Sequence, residues 1–220
     1  IATTRDRDEH WHLTVEKRAW WEARCFEAGF RKHPSYYRIN GYESLNEDEW
    51  QISILLEKIP PDAVARYPLA ALEAERGLHM DMLRDVGERS DAHVVRYQLA
   101  SNYVKPGDRV LDAACGLGYG GHVLRHLTQA SLVVGIDGSA SAIEYASTCF
   151  GGVGDRGNAQ CGLLPDVLAE YADGSFELVV CFETLEHVDD PIALIGEFHR
   201  LLTPGGRLIA SVPNDWSDES

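Results

Sequence analysis

Val110-Leu111-Asp112-Ala113-Ala114-Cys115-Gly116-Leu117-Gly118-Tyr119-Gly120-Gly121 decides the reading of this chain. A short apolar run closes on an acid and opens directly into a glycine turn. Gly116, Gly118 and Gly121 satisfy the GxGxxG spacing. Glycines let a backbone approach a ligand closely, and the helix expected after them offers free N–H groups. Alone the pattern is weak, because such turns also serve packing. A second acid strengthens it. Leu132-Val133-Val134-Gly135-Ile136-Asp137 reads as the next strand, and Asp137 falls 21 residues after Gly116. An acid at that place can bind both hydroxyls of a ribose. A nucleotide-type cofactor site is the sharper reading and a purely structural turn the plainer one.

Working outward, Arg109 to Ala113 forms the first strand, helices are expected at about Gly121 to Leu127 and at Ser139 to Thr148, and Phe176 to Phe182 forms a later strand. Ile192 to Leu202 reads as a helix stopped by Pro204-Gly205-Gly206, and Arg207 to Val212 as a last strand. Strands alternating with helices imply an α/β, Rossmann-like, mostly parallel sheet with helices on both faces. The identity of the cofactor follows from Asp112. An acid directly before the glycines repels a pyrophosphate but suits a positive head, such as the sulfonium and ammonium of S-adenosylmethionine.

The charge supports that choice. The chain has 220 residues, 35 acidic and 20 basic, for a net charge of −15. Residues 1–90 hold 13 basic and 17 acidic side chains, residues 91–220 hold 7 and 18. Such a surface disfavours nucleic acid and anionic lipid as partners. Hydrophobic residues are 45% and charged residues 25%, the balance of a globular protein. No apolar run is long enough to span a bilayer. The chain opens on Ile1 without the basic and apolar regions of a secretory signal, so its start reads as a cut end. Five widely spaced cysteines, with no CxxC, suit a reducing, cytoplasmic setting and argue against structural zinc.

The ordered pieces resemble class I S-adenosylmethionine-dependent methyltransferases. They are Leu111 to Gly120, Val134 to Asp137, Gly174 to Val180, Phe182-Glu183-Thr184-Leu185-Glu186-His187-Val188, Leu201 to Ile209, and Ser211-Val212-Pro213-Asn214. They span about residues 91–216, and the stretch from Gly87-Glu88-Arg89 to Tyr97 is similar to members from polysaccharide and small-molecule pathways. The resemblance implies that Asp112 and the turn Ala114, Cys115, Gly116, Leu117, Gly118, Tyr119 surround the methionine part of the cofactor. Asp137 then holds the ribose, Gly138 and Ser139 lie beside the adenosine, Gly162 and Leu163 stand near the adenine, and Phe182 sits by the transferring methyl. Two departures are Ala114, where many members carry Gly, and Gln160 to Pro165, which lacks the usual Gly-Asp-Ala.

Glu183, Glu186 and His187 follow the fourth strand of this core. In a helix, positions i, i+3 and i+4 share one face. The three could converge on a divalent cation such as Mg2+, His187 could be a general base with Glu183 as its catalytic partner, or the string could be a cap and polar contact near the cofactor. The same spacing resembles ubiquinone-pathway O-methyltransferases and RNA 2′-O-methyltransferases.

The remaining residues read as 1–60, a segment similar to the tail of a methyltransferase domain; 61–90, a helical linker broken near Pro68 and Gly77; and 91–220, the cofactor-binding core, truncated after the fifth strand. In the first segment a helix is expected over Val15 to Ala28 with Trp21, Cys25 and Phe26 on one side, then strands at Tyr36 to Ile39 and over Trp50 to Ile59. Asp91 is expected to cap the next helix. An uncovered fifth strand would aggregate, so Gln51 to Glu57 is expected to pair beside Arg207 to Val212. The segment then belongs to an upstream tandem domain, completes the sheet in cis, or is swapped within a homodimer; a helical accessory lid is the other option. The expected activity is O-methylation of a sugar or other small molecule. A metal-assisted RNA 2′-O-methyltransferase and a catalytically silent cofactor-binding or scaffolding domain are the rivals.

Overall fold

A computed structural model describes residues 2–4, 14–39, 51–74, 80–151 and 157–214. The chain divides into two compact units, Ile1–Leu99 and Ala100–Ser220. The first holds β1 (Ala2–Thr4), α1 (Arg18–Glu27), β2 (Phe30–Lys32), α2 (Tyr36–Ile39), β3 (Gln51–Ser53), β4 (Leu56–Lys58), α3 (Pro61–Arg66), α4 (Leu69–Ala74) and most of α5 (Glu88–Ser101). β1 pairs with β3 and β2 with β4, both antiparallel.

A neutral cluster of buried charge organises this unit. Asp91, 1% exposed, accepts hydrogen bonds from Arg18 and Tyr37, and from Lys32 Nζ at 3.2 Å. Arg18 Nη1 also donates to Glu22 Oε1 at 3.0 Å, where Tyr36 Oη donates at 2.7 Å. Two cations thus face two carboxylates, which is how charge is tolerated away from water. Burial raises the Asp91 carboxyl, but the bonds from Arg18 and Tyr37 and the charge of Lys32 outweigh it and hold the group below its ordinary value.

Four departures from the sequence expectations lie in this unit. Asp91 does not cap a helix; it lies inside α5, because its carboxylate is the hub. Tyr36–Ile39 is a helical turn rather than a strand, since Tyr36 and Tyr37 are both buried and a strand would turn them to opposite faces. α1 begins at Arg18, and its buried positions are Glu22 and Phe26 while Trp21 and Cys25 are half-buried. The single strand expected to start at Trp50 is two short ones. Their ladder groups are taken by β1 and β2, and Leu55 O accepts from His33 N–H. Gln51 to Glu57 therefore does not extend the sheet beside residues 207–212. Trp50 itself lies outside the described residues.

The second unit runs β5 (Arg109–Ala113), α6 (Tyr119–Leu127), β6 (Leu132–Asp137), α7 (Ala140–Phe150), β7 (Gly157–Cys161), β8 (Phe176–Phe182), α8 (Pro191–Leu201) and β9 (Leu202–Ser211). The strands form one parallel sheet in the order β7-β6-β5-β8-β9. The chain steps outward from β5 to β7, then crosses back to β8, so the order reverses between β5 and β8. Crevices for ligands open at such reversals, beyond the carboxyl ends of the strands.

Side-chain alternation divides the two faces. Leu111, Val134 and Ile136 pack in one cluster with Leu194, Phe198 and Leu201 of α8. The residues between them, Asp112, Val133 and Gly135, turn to the opposite face and stand with Gly121, Ala146 and Phe150 of α6 and α7. Leu194, Phe198 and Leu201 recur at i, i+4 and i+7, the stripe that places a helix on a sheet. The final strand departs from expectation. It starts at Leu202, and the register jumps from Phe176↔Leu202 to Leu178↔Arg207, so Thr203 to Gly206 bulge out within it instead of separating helix from strand.

Acidification tests the charge cluster. Because the folded-state value of Asp91 is depressed, its stabilisation is present above the unfolded value of about 3.9 and fades as pH falls through the folded one. Asp91→Ala strands Arg18 and Lys32 and is expected to cost about 3–5 kcal/mol near neutral pH. Denaturant titrations of both proteins from pH 7 to pH 3 should show that gap narrowing toward the acid end.

Candidate functional site

The site forms where β5 and β6 end. After Ala113 the backbone enters the left-handed region at Ala114 (φ 60°), Gly116 (φ 53°) and Gly118 (φ 80°). Ala114 carries strain there that glycine would not, a feature common near ligands. Cys115 N–H donates to Ile136 O at 2.9 Å, tying the turn to β6. Asp137 completes the tie. Its Oδ2 accepts from Gly116 N–H at 2.9 Å and its Oδ1 from Ser139 N–H at 2.9 Å. One carboxylate thus fixes the glycine turn and the entry to α7, whose first turn is capped by Ser139 Oγ accepting from Ala142 N–H at 3.2 Å. Each Asp137 oxygen keeps lone-pair capacity for a ligand donor.

The three glycines of the motif have different duties. A Cβ at Gly116 would meet nothing within 4 Å, so this position leaves open space above the turn. A Cβ at Gly118 would lie 2.6 Å from the Ala146 Cβ; that glycine exists so that α7 can pack on the turn. At Gly121 the nearest neighbours stand at 3.8 Å, ordinary contact. A fourth glycine, Gly135, was not singled out by the motif. A Cβ there would lie 2.9 Å from Cys115 Sγ, so Gly135 gives the cysteine its place.

The residues expected around the cofactor fall into two groups. Ala114, Gly116, Asp137, Gly138, Ser139, Gly162, Leu163 and Phe182 keep exposed surface, Leu163 as much as 70%. Gly162 N–H donates to Asp137 O at 2.9 Å, and Leu163 lies over Gly138, which brings the end of β7 beside the end of β6. By contrast Asp112, Cys115, Leu117, Gly118 and Tyr119 are buried. Asp112 is 0% exposed and borders a cavity of about 170 Å³ on the α6–α7 face with Arg125. Its charge acts from beneath the turn rather than from an open wall. Burial, with Asp112 and Asp137 adding to it, raises the Cys115 thiol, and burial pushes Cys181 up to about 12, so neither is a reactive thiolate.

The carboxylate-histidine string is not the helix expected. Glu183 is left-handed (φ 50°), and only Leu185–His187 forms a 3-10 turn. Glu183, Glu186 and His187 therefore do not share a helical face. Glu183 instead laces β8 to β9: its N–H donates to Ser211 O at 2.9 Å and its Oε1 accepts from Ser211 Oγ at 2.7 Å. Glu186 and His187 are exposed, 3.8 Å apart. Among the described residues, no group of three or more His, Cys, Asp or Glu is placed to hold a metal ion, so the structure gives the Mg2+ expectation no support. Ser211 falls in one of the family-like pieces of the sequence, but its pairing with Glu183, 28 positions away, has no signal there.

Residues 111–210 match the model of the methyltransferase domain family. Over these residues the chain carries a methyltransferase domain similar to those of class I S-adenosylmethionine-dependent methyltransferases. A ubiquinone biosynthesis O-methyltransferase of Xanthomonas axonopodis pv. citri is 36% identical over 121 residues, which cover 54% of this chain and 49% of that protein. Phosphoethanolamine N-methyltransferase 3 of Arabidopsis thaliana is 31% identical over 106 residues, 48% of this chain and 21% of that protein. The matched stretch thus spans half or less of the length of these relatives. Among solved structures, a complex of the Haloferax volcanii Trm112 methyltransferase activator with a methyltransferase aligns with TM-score 0.51 and 26% identity, over 65% of this chain and 58% of that one. The N-methyltransferase NodS of Bradyrhizobium japonicum, solved with S-adenosyl-L-homocysteine, shares the fold with TM-score 0.51 and 20% identity, over 64% and 70% of the two chains. Among the described residues, no helix is long and apolar enough to cross a membrane.

The glycine duties separate by stability. Gly118→Ala combines a left-handed strain with a clash against α7 and is expected to cost about 2–4 kcal/mol. Gly116→Ala carries the strain alone, about 1–2 kcal/mol. Thermal unfolding of the two variants should rank them in that order.

Proposed function

We propose that this chain transfers a methyl group from S-adenosylmethionine to a hydroxyl of a sugar or other small molecule. The observation that carries the reading is the Asp137 carboxylate, oriented by Gly116 and Ser139 N–H groups and retaining capacity for two ribose hydroxyls. The residues fit a nucleoside on physical grounds. Gly116 leaves room above the turn, and Gly138, Gly162 and Leu163 offer a partly apolar surface beside it. When bound, S-adenosylmethionine supplies a methyl group on a cationic sulfur that departs as a neutral thioether. Asp112, Asp137 and Glu183, at the ends of β5, β6 and after β8, make the surroundings suitable for that positive charge.

Because the leaving group is neutral, the chain's own contribution is mainly placement of the acceptor in line with the methyl. A hydroxyl acceptor must also lose a proton. His187, exposed just past β8 and 3.8 Å from Glu186, is the group proposed to accept it. Glu183, held by Ser211, is proposed to orient the acceptor beside Phe182. The relatives' names divide between oxygen and nitrogen acceptors. A nitrogen acceptor needs no such base, and dependence on His187 separates the two.

Calorimetric titration with S-adenosyl-L-homocysteine checks the reading. Asp137→Ala removes two charge-assisted contacts to the ribose and is expected to weaken binding on the order of 100-fold. Unchanged affinity would place the ribose elsewhere. His187→Ala should bind normally yet lose about 10²–10⁴-fold in turnover of hydroxyl acceptors, assayed against a panel of catechols and sugars. Binding without turnover of any hydroxyl or amine acceptor would favour a silent cofactor-binding domain.

A further inference from the structure

Arg84 lies in the connection between α4 and α5 of the first unit and is 4% exposed. Its backbone N–H donates to Asp81 O at 2.9 Å, which fixes where the side chain starts. Its Nη1 donates to Tyr67 O at 2.8 Å. Its Nε and Nη2 are buried, and neither has a hydrogen-bond partner among the described residues. These two nitrogens are not an arbitrary pair. They form one edge of the planar guanidinium, and their N–H bonds run nearly parallel, the fork that matches two oxygens of a carboxylate or phosphate.

The contrast with the rest of the unit is sharp. Lys32 is buried and Arg18 half-buried, but each meets Asp91. The acids nearest Arg84 in sequence are engaged otherwise. Asp81 Oδ1 accepts from Leu83 N–H at 3.1 Å, and Asp85 accepts from Val86 N–H at 2.9 Å and from Arg89 at 3.1 Å. A buried cation with two adjacent, unused donors is among the costliest arrangements a fold can hold, and it is relieved by an oxyanion.

We propose that Arg84 is an oxyanion-binding residue whose Nε–Nη2 edge takes a small carboxylate or phosphate, with Nη1 held by Tyr67 to keep the fork in place. Nothing in this assignment requires methyl transfer, and its test reads binding alone. Unfolding temperatures of the full chain would be measured in HEPES with sodium phosphate or sodium acetate added at constant ionic strength. A saturable rise is expected, about 5–10 °C once the anion exceeds its dissociation constant about 100-fold. Arg84→Met keeps the bulk and removes every donor, and it should show no saturable rise. Arg84→Lys keeps the charge without the fork and should respond less than the native chain. A response to phosphate alone assigns a phosphoryl ligand, and a response to acetate as well assigns oxyanions generally. A native chain that does not respond, or an Arg84→Met chain that responds equally, overturns the proposal. Should the variants not fold, the arginine Nε–H resonances of the native protein give the same answer: one protected signal moves on phosphate or acetate addition, and its failure to move refutes the site.

Discussion

One carboxylate ties the site of the second unit together. Asp137 stands at the end of β6 and accepts from Gly116 on one side and Ser139 on the other. The first bond sets the path of a turn whose backbone passes three times through the left-handed region. The second sets the entry of α7, and α7 in turn packs so closely on Gly118 that no side chain fits there. Had β6 ended on an apolar residue, the two N–H groups would lack an acceptor and the turn would lose its reference point. The architectural role of Asp137 is thus set by these two bonds, and in the proposed function the same carboxylate, already oriented, is the acceptor for the ribose.

The first unit uses charge differently. Its two carboxylates and two cations are paired with one another, with Tyr36 and Tyr37 supplying further donors, although Glu22 Oε2 is buried without a hydrogen-bond partner among the described residues. Such a cluster adds little net stability over an apolar core of equal volume but makes the removal of any member expensive. It specifies one arrangement of α1, α2 and α5. Arg84 stands out against this background because Arg18, Lys32, Glu22 and Asp91 each face an opposite charge, whereas the buried Nε and Nη2 of Arg84 have no hydrogen-bond partner among the described residues.

The legibility of the chain followed the range of its interactions. The central strands β5, β6 and β8 are readable because they are largely buried on both faces and so appear as apolar runs, as in Leu132 to Ile136, whereas β7 (Gly157–Cys161) is polar, lies open at the sheet edge and gives no such run. The glycine turn held by Asp137 is readable because its parts, Asp112 to Ser139, lie within 28 residues and their spacing is imposed by a strand–turn–helix–strand passage. Asp91 was misread because a short polar residue before an apolar stripe has the local look of a cap, while its real partners lie 54 to 73 positions away. Tyr36-Tyr37 was misread for the same reason: aromatic residues favour strands on average, and only the distant carboxylates demand a turn.

Glu183 shows where sequence spacing fails altogether. The interval Glu-x-x-Glu-His suggests one helical face, but that inference assumes all five residues are helical. The close of β8 prevents it. Glu183 N–H is committed to the Ser211 carbonyl of β9, which continues the sheet ladder one step beyond the strand and forces the chain to turn at Glu183 itself. A left-handed residue at that point cannot belong to the following turn, so its carboxylate swings to Ser211 while Glu186 and His187 go to solvent. The expectation of one helical face therefore fails for a backbone reason. What the same geometry provides is a carboxylate anchored across two strand ends, at the side of the sheet where the strand order reverses.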